Sequence, residues 1–131
     1  MFDRKLYFSN LKTENFGRNI FIFDEIDSTS AYLLENVKPP FCVAVAEKQR
    51  AGRGRSGRKW ISEASGNLYF SVSLPKAELS MLLPLNIAIG FTVCDALRDI
   101  APVQLKWPND IMLDGKKIGG ILFETSINSS R

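Results

Sequence analysis

Between positions 48 and 59, six cationic side chains, Lys48, Arg50, Arg53, Arg55, Arg58 and Lys59, fall within twelve residues that contain no acid. Net charge over the whole chain is only +3, so this is a local excess of one sign. Such an excess selects an anionic partner, either phosphate or nucleic acid. Glycine interleaves the arginines in Ala51-Gly-Arg-Gly-Arg-Ser-Gly-Arg-Lys-Trp60. Where side chains are missing, backbone amides can approach an anion closely, and each arginine adds a permanent charge with a planar fork of donors. Gly52, Gly54 and Gly57 also satisfy G-x-G-x-x-G. A dinucleotide fingerprint opens a helix, however, and here Trp60-Ile61-Ser62 and a strand pattern follow, so that reading is rejected. Taken alone, the loop fits two other readings. It could be a solvated basic segment, or a short arginine–glycine site for RNA with Trp60 or Tyr69 as a stacking platform.

Three further motifs carry groups of chemical interest. In Lys106-Trp-Pro-Asn-Asp110, Pro108 sets a turn after a strand and Asn109 and Asp110 present short polar side chains. Asp110 is a candidate holder of a magnesium–triphosphate complex, because magnesium takes one or two carboxylates plus phosphate oxygens. An Asx-type turn satisfying its own backbone is the other account. In Lys116-Lys-Ile-Gly-Gly-Ile-Leu-Phe-Glu124, two glycines inside an apolar strand mark close approach by a ligand or another backbone, and Lys117 could reach that ligand. A solvent-facing hairpin lysine and a glycine bulge explain the pattern equally well. Asp27-Ser28-Thr29 reads as a helix cap whose hydroxyls could also bind a small carboxylate or ureido ligand, with the Gln49 amide offered to the same molecule.

Composition removes whole classes of mechanism. The chain has no histidine, which excludes Ser-His-Asp and Cys-His catalysis, histidine zinc sites and imidazole proton shuttles. Chemistry must use Lys, Arg, carboxylates, hydroxyls, backbone amides or a metal brought by the ligand. Cys42 and Cys94 read as free buried thiols, with no neighbouring cysteine to make a metal knuckle. At 131 residues and 45% hydrophobic content, one domain with a real core is expected. No stretch approaches about 20 uninterrupted apolar residues. The first residues lack the apolar run of a signal peptide, so no membrane span and a cytoplasmic location are expected.

The elements that must position these motifs follow from periodicity. Residues 19–23 read as a strand, followed by the cap at Ser28 and a helix ending near Pro39-Pro40. A buried strand over 41–46 leads into the basic loop at 48–59. Over 68–74, Leu68, Phe70, Val72 and Leu74 alternate with Tyr69, Ser71 and Ser73, which is strand spacing. Pro84 suits the first turn of a helix, whose core-facing stripe is Leu85, Ile89, Val93, Leu97 and Ile100. A strand over 103–106 precedes a hairpin of 111–113 and 118–123 about Asp114-Gly115. Strands occur both as hairpin partners and around helices. The expected class is therefore α+β, a mixed, largely antiparallel sheet with packed helices.

In order along the chain, the DSTS segment, AEKQRAGRGRSGRKW, SGNLYFSVSL and KWPNDIMLDGKKIGGILFE resemble the biotin protein ligases (biotin–[acetyl-CoA-carboxylase] ligases). The match runs over about residues 23–124. The resemblance implies a biotin/lipoate ligase-like fold, related to class II aminoacyl-tRNA synthetase catalytic domains. In it, residues 1–131 make a single, partial catalytic domain that is incomplete at the C-terminus, because family members continue past the lysine hairpin. It implies activation of biotin by ATP with magnesium to biotinyl-5′-adenylate, then transfer to a lysine of the biotin carboxyl carrier domain of a carboxylase. Residues matching Ser28, Thr29, Gln49, Gly52, Arg53 and Lys117 would contact biotin. Arg55, Arg58, Trp60 and Asn109 would serve the nucleotide or adenylate, Asp110 a magnesium ion, and Lys117 and Arg55 the reacting atoms. Ser30 departs from the Asn or Gln usual in the family after Ser-Thr. No helix-turn-helix precedes the match, so no DNA is expected as a partner, while a homodimer is compatible with the family. Three other outcomes stay open: a non-catalytic biotin-binding module, an RNA-binding module, and a lipoate-type ligase.

Overall fold

Ile20-Phe-Ile-Phe and Val43-Ala-Val-Ala are apolar at every position, so strands built from them bury side chains on both faces. In the computed structural model, which describes residues 1–36, 38–64 and 66–125, they form β1 (Ile20–Ile26) and β2 (Val43–Gln49). Ser65 of the SGNLYFSVSL segment and residues 128–131, at which the domain was expected to be cut short, lie outside the described residues. The chain divides into two compact units, Met1–Pro75, to which Glu124 also belongs, and Lys76–Phe123.

In the first unit β1 and β2 run parallel, with Ile20 opposite Val43 and Ile26 opposite Gln49. A parallel pair needs a crossover, and α2 (Thr29–Glu35) supplies it. Ser28 caps α2 from an extended conformation, its hydroxyl accepting from the Ala31 amide at 3.3 Å, as the sequence indicated. β3 (Tyr69–Val72) completes a three-stranded sheet, antiparallel to β2, in the order β1-β2-β3. Because side chains alternate across a strand, two cores result. Ile20, Val43 and Val45 meet Phe2, Tyr7 and Phe8 on one face. Cys42, Ala44 and Leu33 meet Phe21, Phe23 and Tyr32 on the other. Each such aliphatic side chain contributes about 1.5–3 kcal/mol when fully buried.

The covering helix on the first face, α1 (Arg4–Asn10), was not anticipated. Asp3 caps it, accepting from the Leu6 amide at 2.9 Å. The Tyr7 hydroxyl donates to the Gly17 carbonyl at 2.8 Å, and burial raises the Tyr7 phenol above its ordinary range, with Arg18 opposing that shift.

The second unit holds α3 (Leu82–Leu97) and a wholly antiparallel sheet of β4 (Gln104–Lys106), β5 (Asp110–Leu113) and β6 (Lys116–Gly120). The described strands thus form two three-stranded sheets where a single mixed one was expected; across both, the antiparallel pairings predominate. Asp114 (φ +50°) and Gly115 (φ +75°) make the tight hairpin turn that the sequence predicted. A two-residue turn leaves no slack, so Leu113 pairs directly with Lys116, and β6 begins two residues earlier than its apolar run. Lys117 is therefore a strand residue.

Pro84 lies in the first turn of α3, and Leu85, Ile89, Val93 and Leu97 are half-buried. The stripe does not extend to Ile100: the helix ends at Leu97 and Ile100 is exposed. Gly90 is buried where Leu105 of β4 packs against the helix, and a Cβ there would lie 2.9 Å from a Leu105 methyl. One helical run among the described residues, Leu79–Leu97, has a mean hydropathy of 1.6 and is long and apolar enough to cross a membrane by length and composition. Ser80, Asn86, Thr92 and Asp95 interrupt it, so it passes on average hydropathy without being an uninterrupted apolar run. Cys42 is buried, but Cys94, read as buried from sequence, is only half-buried.

Candidate functional site

Where β1 runs into α2, the Ser28 and Thr29 side chains turn inward and are each 3% exposed. Hydroxyls so far from water need partners. The Thr29 amide donates to Gln49 Oε1 at 2.9 Å, and Thr29 Oγ1 lies 3.2 Å from the same oxygen and 2.7 Å from Ser71 Oγ. Gln49 ends β2, and its Nε2 donates to Ser62 Oγ at 3.0 Å. The Ser62 hydroxyl donates in turn to the Trp60 carbonyl at 3.2 Å. Ser28 Oγ is 3.1 Å from Ser30 Oγ. One polar network therefore ties together the α2 start, the end of β2, and β3. Ser62 and Ser71 had not been singled out. The available signal for Ser71 was its position opposite the apolar set of β3, which brings it onto the α2 side of the sheet.

The basic loop rises from this network and folds back on itself. Arg53 pairs with Lys59 and Gln49 with Ser62 as isolated antiparallel bridges. The Gly54 amide donates to the Arg58 carbonyl at 2.7 Å, and the Trp60 amide to the Gly52 carbonyl at 2.9 Å. At its turn, Ser56 (φ +56°) and Gly57 (φ +74°) are both left-handed. Arg50 fastens the loop's first residue to the end of β1, with Nε 2.7 Å from Asp27 and Nη1 3.4 Å from Glu25. The Asp27 hydrogen bond raises the Arg50 guanidinium further above its ordinary range. Arg53 Nη1 lies 3.4 Å from both carboxylate oxygens of Glu124. Arg55 and Arg58 are exposed, and Trp60 is half-buried.

Two depressions mark this unit. One, of about 320 Å³, is lined by Ser28, Ala31, Tyr32, Ala51 and Arg53 among others. The other, of about 350 Å³, is lined by Met1, Asp24, Glu25, Glu47 and Lys48. In the second, Asp24, Glu25 and Glu47 outnumber Lys48, whereas in the first Asp27 and Glu35 are matched by Arg50 and Arg53 beside the Ser28 hydroxyl.

The second unit carries the remaining candidates. Lys117 Nζ is 3.0 Å from Asp110 Oδ1, both side chains being partly exposed. Asn109 is 6% exposed; its Nδ2 donates to the Ile121 carbonyl and its own carbonyl accepts from the Ile121 amide, both at 2.9 Å. It holds the turn before β5 to the chain beyond β6. A Cβ at Gly119 would lie 3.5 Å from Ile111 Cβ, ordinary van der Waals contact. Among the described residues no group of three or more His, Cys, Asp or Glu side chains is arranged to hold a metal ion. Asp110 is a single carboxylate already paired with an ammonium group. A magnesium ion there would have this one carboxylate and would need phosphate oxygens of a bound nucleotide for most of its remaining ligands.

Residues 22–130 match the biotin/lipoate A/B protein ligase family, and the chain belongs to it. Among curated relatives, the bifunctional ligase/repressor BirA of Escherichia coli (strain K12) is 37% identical over 113 residues, 82% of this chain and 35% of that protein. A solved biotin protein ligase from Aquifex aeolicus in complex with biotin and ATP is 42% identical, with a TM-score of 0.76 over 84% of this chain and 48% of that one. The biotin acetyl coenzyme A carboxylase synthetase from Helicobacter pylori, solved with bound biotinylated ATP, is 31% identical with a TM-score of 0.70, over 83% of this chain and 56% of that one. The chain therefore spans about a third of the length of the curated relative. These likenesses bear out the α+β fold and the family resemblance read from the motifs.

Proposed function

We propose that this chain carries the biotin- and ATP-handling part of a biotin protein ligase. The observation that carries the reading is the cluster of buried Ser28 and Thr29 with half-buried Gln49 at the foot of the arginine loop, in a chain 42% identical to a ligase solved with biotin and ATP. Hydroxyl and amide groups of this kind suit the ureido and carboxylate ends of biotin, and the loop suits phosphate. Ser28, Thr29, Gln49, Gly52 and Arg53 are assigned to biotin, and Arg55, Arg58 and Trp60 to the adenylate. Asn109 serves the nucleotide indirectly, by holding the turn that carries Asp110.

In the first step a biotin carboxylate oxygen bonds to the α-phosphorus of ATP. The bond from that phosphorus to the β-bridging oxygen breaks, and pyrophosphate leaves. The carboxylate is ionised at neutral pH, so no histidine base is required. The obstacle is repulsion between two anions, and cationic side chains lower it as charge gathers in the transition state. Lys117, held by Asp110 before ligands arrive, and Arg55 supply that charge. ATP enters as its magnesium complex, the ion riding on the phosphate oxygens. In the second step the amine of a carrier-domain lysine attacks the acyl carbon, AMP leaves, and the amine proton is lost as the amide forms. The acceptor is a biotin carboxyl carrier domain, in keeping with the carboxylase named for the Helicobacter relative.

Labelled pyrophosphate exchange into ATP tests the reading. Exchange that requires biotin is expected; exchange indifferent to biotin, or absent while ATP and biotin both bind, would exclude adenylation.

A further inference from the structure

The proton count around Gln49 leaves one donor over. Its Oε1 accepts from the Thr29 amide at 2.9 Å, with Thr29 Oγ1 at 3.2 Å. One Nε2 hydrogen goes to Ser62 Oγ at 3.0 Å. The second has no protein acceptor among the described residues. Ser62 has a single hydroxyl proton, which goes to the Trp60 carbonyl at 3.2 Å, so towards Gln49 it can only accept. Ser62 is 1% exposed, so bulk solvent does not compete for its hydroxyl. The two ends of the Gln49 amide are thus fixed in opposite senses: the Thr29 amide demands the oxygen and Ser62 demands the nitrogen. A flipped amide would set donor against donor at Thr29.

From this we infer that Ser62 is a positioning residue. It fixes the Gln49 amide so that the remaining Nε2 hydrogen is presented to an acceptor oxygen of the ligand, a ureido carbonyl or a carboxylate. This rests on the proposed biotin site and adds to it the residue that sets the polarity of Gln49. Gly52 belongs to the same device, since a Cβ there would lie 2.9 Å from Ser62 Oγ and 3.1 Å from Gln49 Nε2. The segment that returns from the loop, Trp60 to Ser62, therefore sets the orientation of a side chain on β2.

The test is a double-mutant cycle on biotin affinity with Ser62→Ala, Gln49→Ala and the double variant, measured by calorimetry. Ser62→Ala is expected to weaken biotin binding about tenfold, the cost of one buried hydrogen bond lost at a recognition group. In the Gln49→Ala background it should cost nothing further. A loss of equal size in both backgrounds, or no loss in either, overturns the inference, and in the latter case a loss with Gln49→Ala alone leaves the biotin site standing. A second readout needs no ligand. The two Gln49 Nε2 proton resonances should be widely split in the parent chain and drawn together by Ser62→Ala. If the splitting survives that change, Ser62 does not hold the amide. If the parent chain fails to bind biotin, the functional reading fails, and the resonances still decide the role of Ser62.

Discussion

Replacing Lys117 with alanine is expected to slow biotin-dependent pyrophosphate exchange about 10²–10³-fold while biotin affinity is kept. The asymmetry comes from when the charge matters. In the resting chain the ammonium faces Asp110 at 3.0 Å, partly in solvent, where an ion pair contributes roughly 0–1 kcal/mol. Removing it therefore does little to the fold or to the resting site. In the proposed first step, negative charge would concentrate as the carboxylate closes on the α-phosphate, and the same ammonium would then be most valuable. An interaction made chiefly in the transition state lowers turnover when lost, not ground-state affinity. Rapid-quench exchange kinetics beside equilibrium biotin binding separate the two. Equal losses in both would show that Lys117 simply helps to hold biotin.

Gly52→Ala should weaken biotin binding about ten- to a hundredfold, whereas Gly57→Ala should do less. Both glycines sit in the same loop, but their surroundings differ. A Cβ at Gly52 would lie 2.5 Å from the Trp60 carbonyl oxygen, 2.9 Å from Ser62 Oγ and 3.1 Å from Gln49 Nε2. The first of these is backbone, fixed by the 2.9 Å bond from the Trp60 amide to the Gly52 carbonyl. Overpacking of that kind costs about 1–3 kcal/mol. Here it falls on the loop and the Gln49 network, the groups assigned to biotin. A Cβ at Gly57 meets nothing within 4 Å, so only the left-handed backbone at φ +74° objects. That strain is about 1–2 kcal/mol and stays at the exposed tip of the loop. Calorimetric titration of both variants with biotin checks the ranking; a Gly52→Ala chain that binds as tightly as the parent would contradict it.

What could be read from sequence was what is decided locally. The Ser28 cap, the Asp114-Gly115 turn and the doubly buried β2 each follow from residues adjacent in the chain. α1 was missed because its seven residues carry no long amphipathic stripe. Phe2, Tyr7 and Phe8 gain their meaning from Ile20 and Val45, which lie on other elements. Ile100 was misassigned for the opposite reason, since apolar spacing continues past the point at which the helix ends. The named site residues came from motif order, but the network joining them is non-local. Thr29 and Ser71 are 42 residues apart, and Gln49 and Ser62 are 13 apart. No window of helical or strand periodicity spans such pairs. The pairing of Asp110 with Lys117 was hidden likewise, because the register of β5 on β6, with its bulge at Ile111/Met112, decides it.

A structure of the chain bound to a non-hydrolysable biotinyl-adenylate tests the electrostatic account most directly. The guanidinium groups of Arg55 and Arg58 and the Lys117 ammonium should come within ion-pair reach, about 4 Å, of the phosphate or the acyl oxygens. Residues 52–58 should cover the ligand. Those three cations turned into solvent, with the phosphate neutralised by other groups, would contradict it.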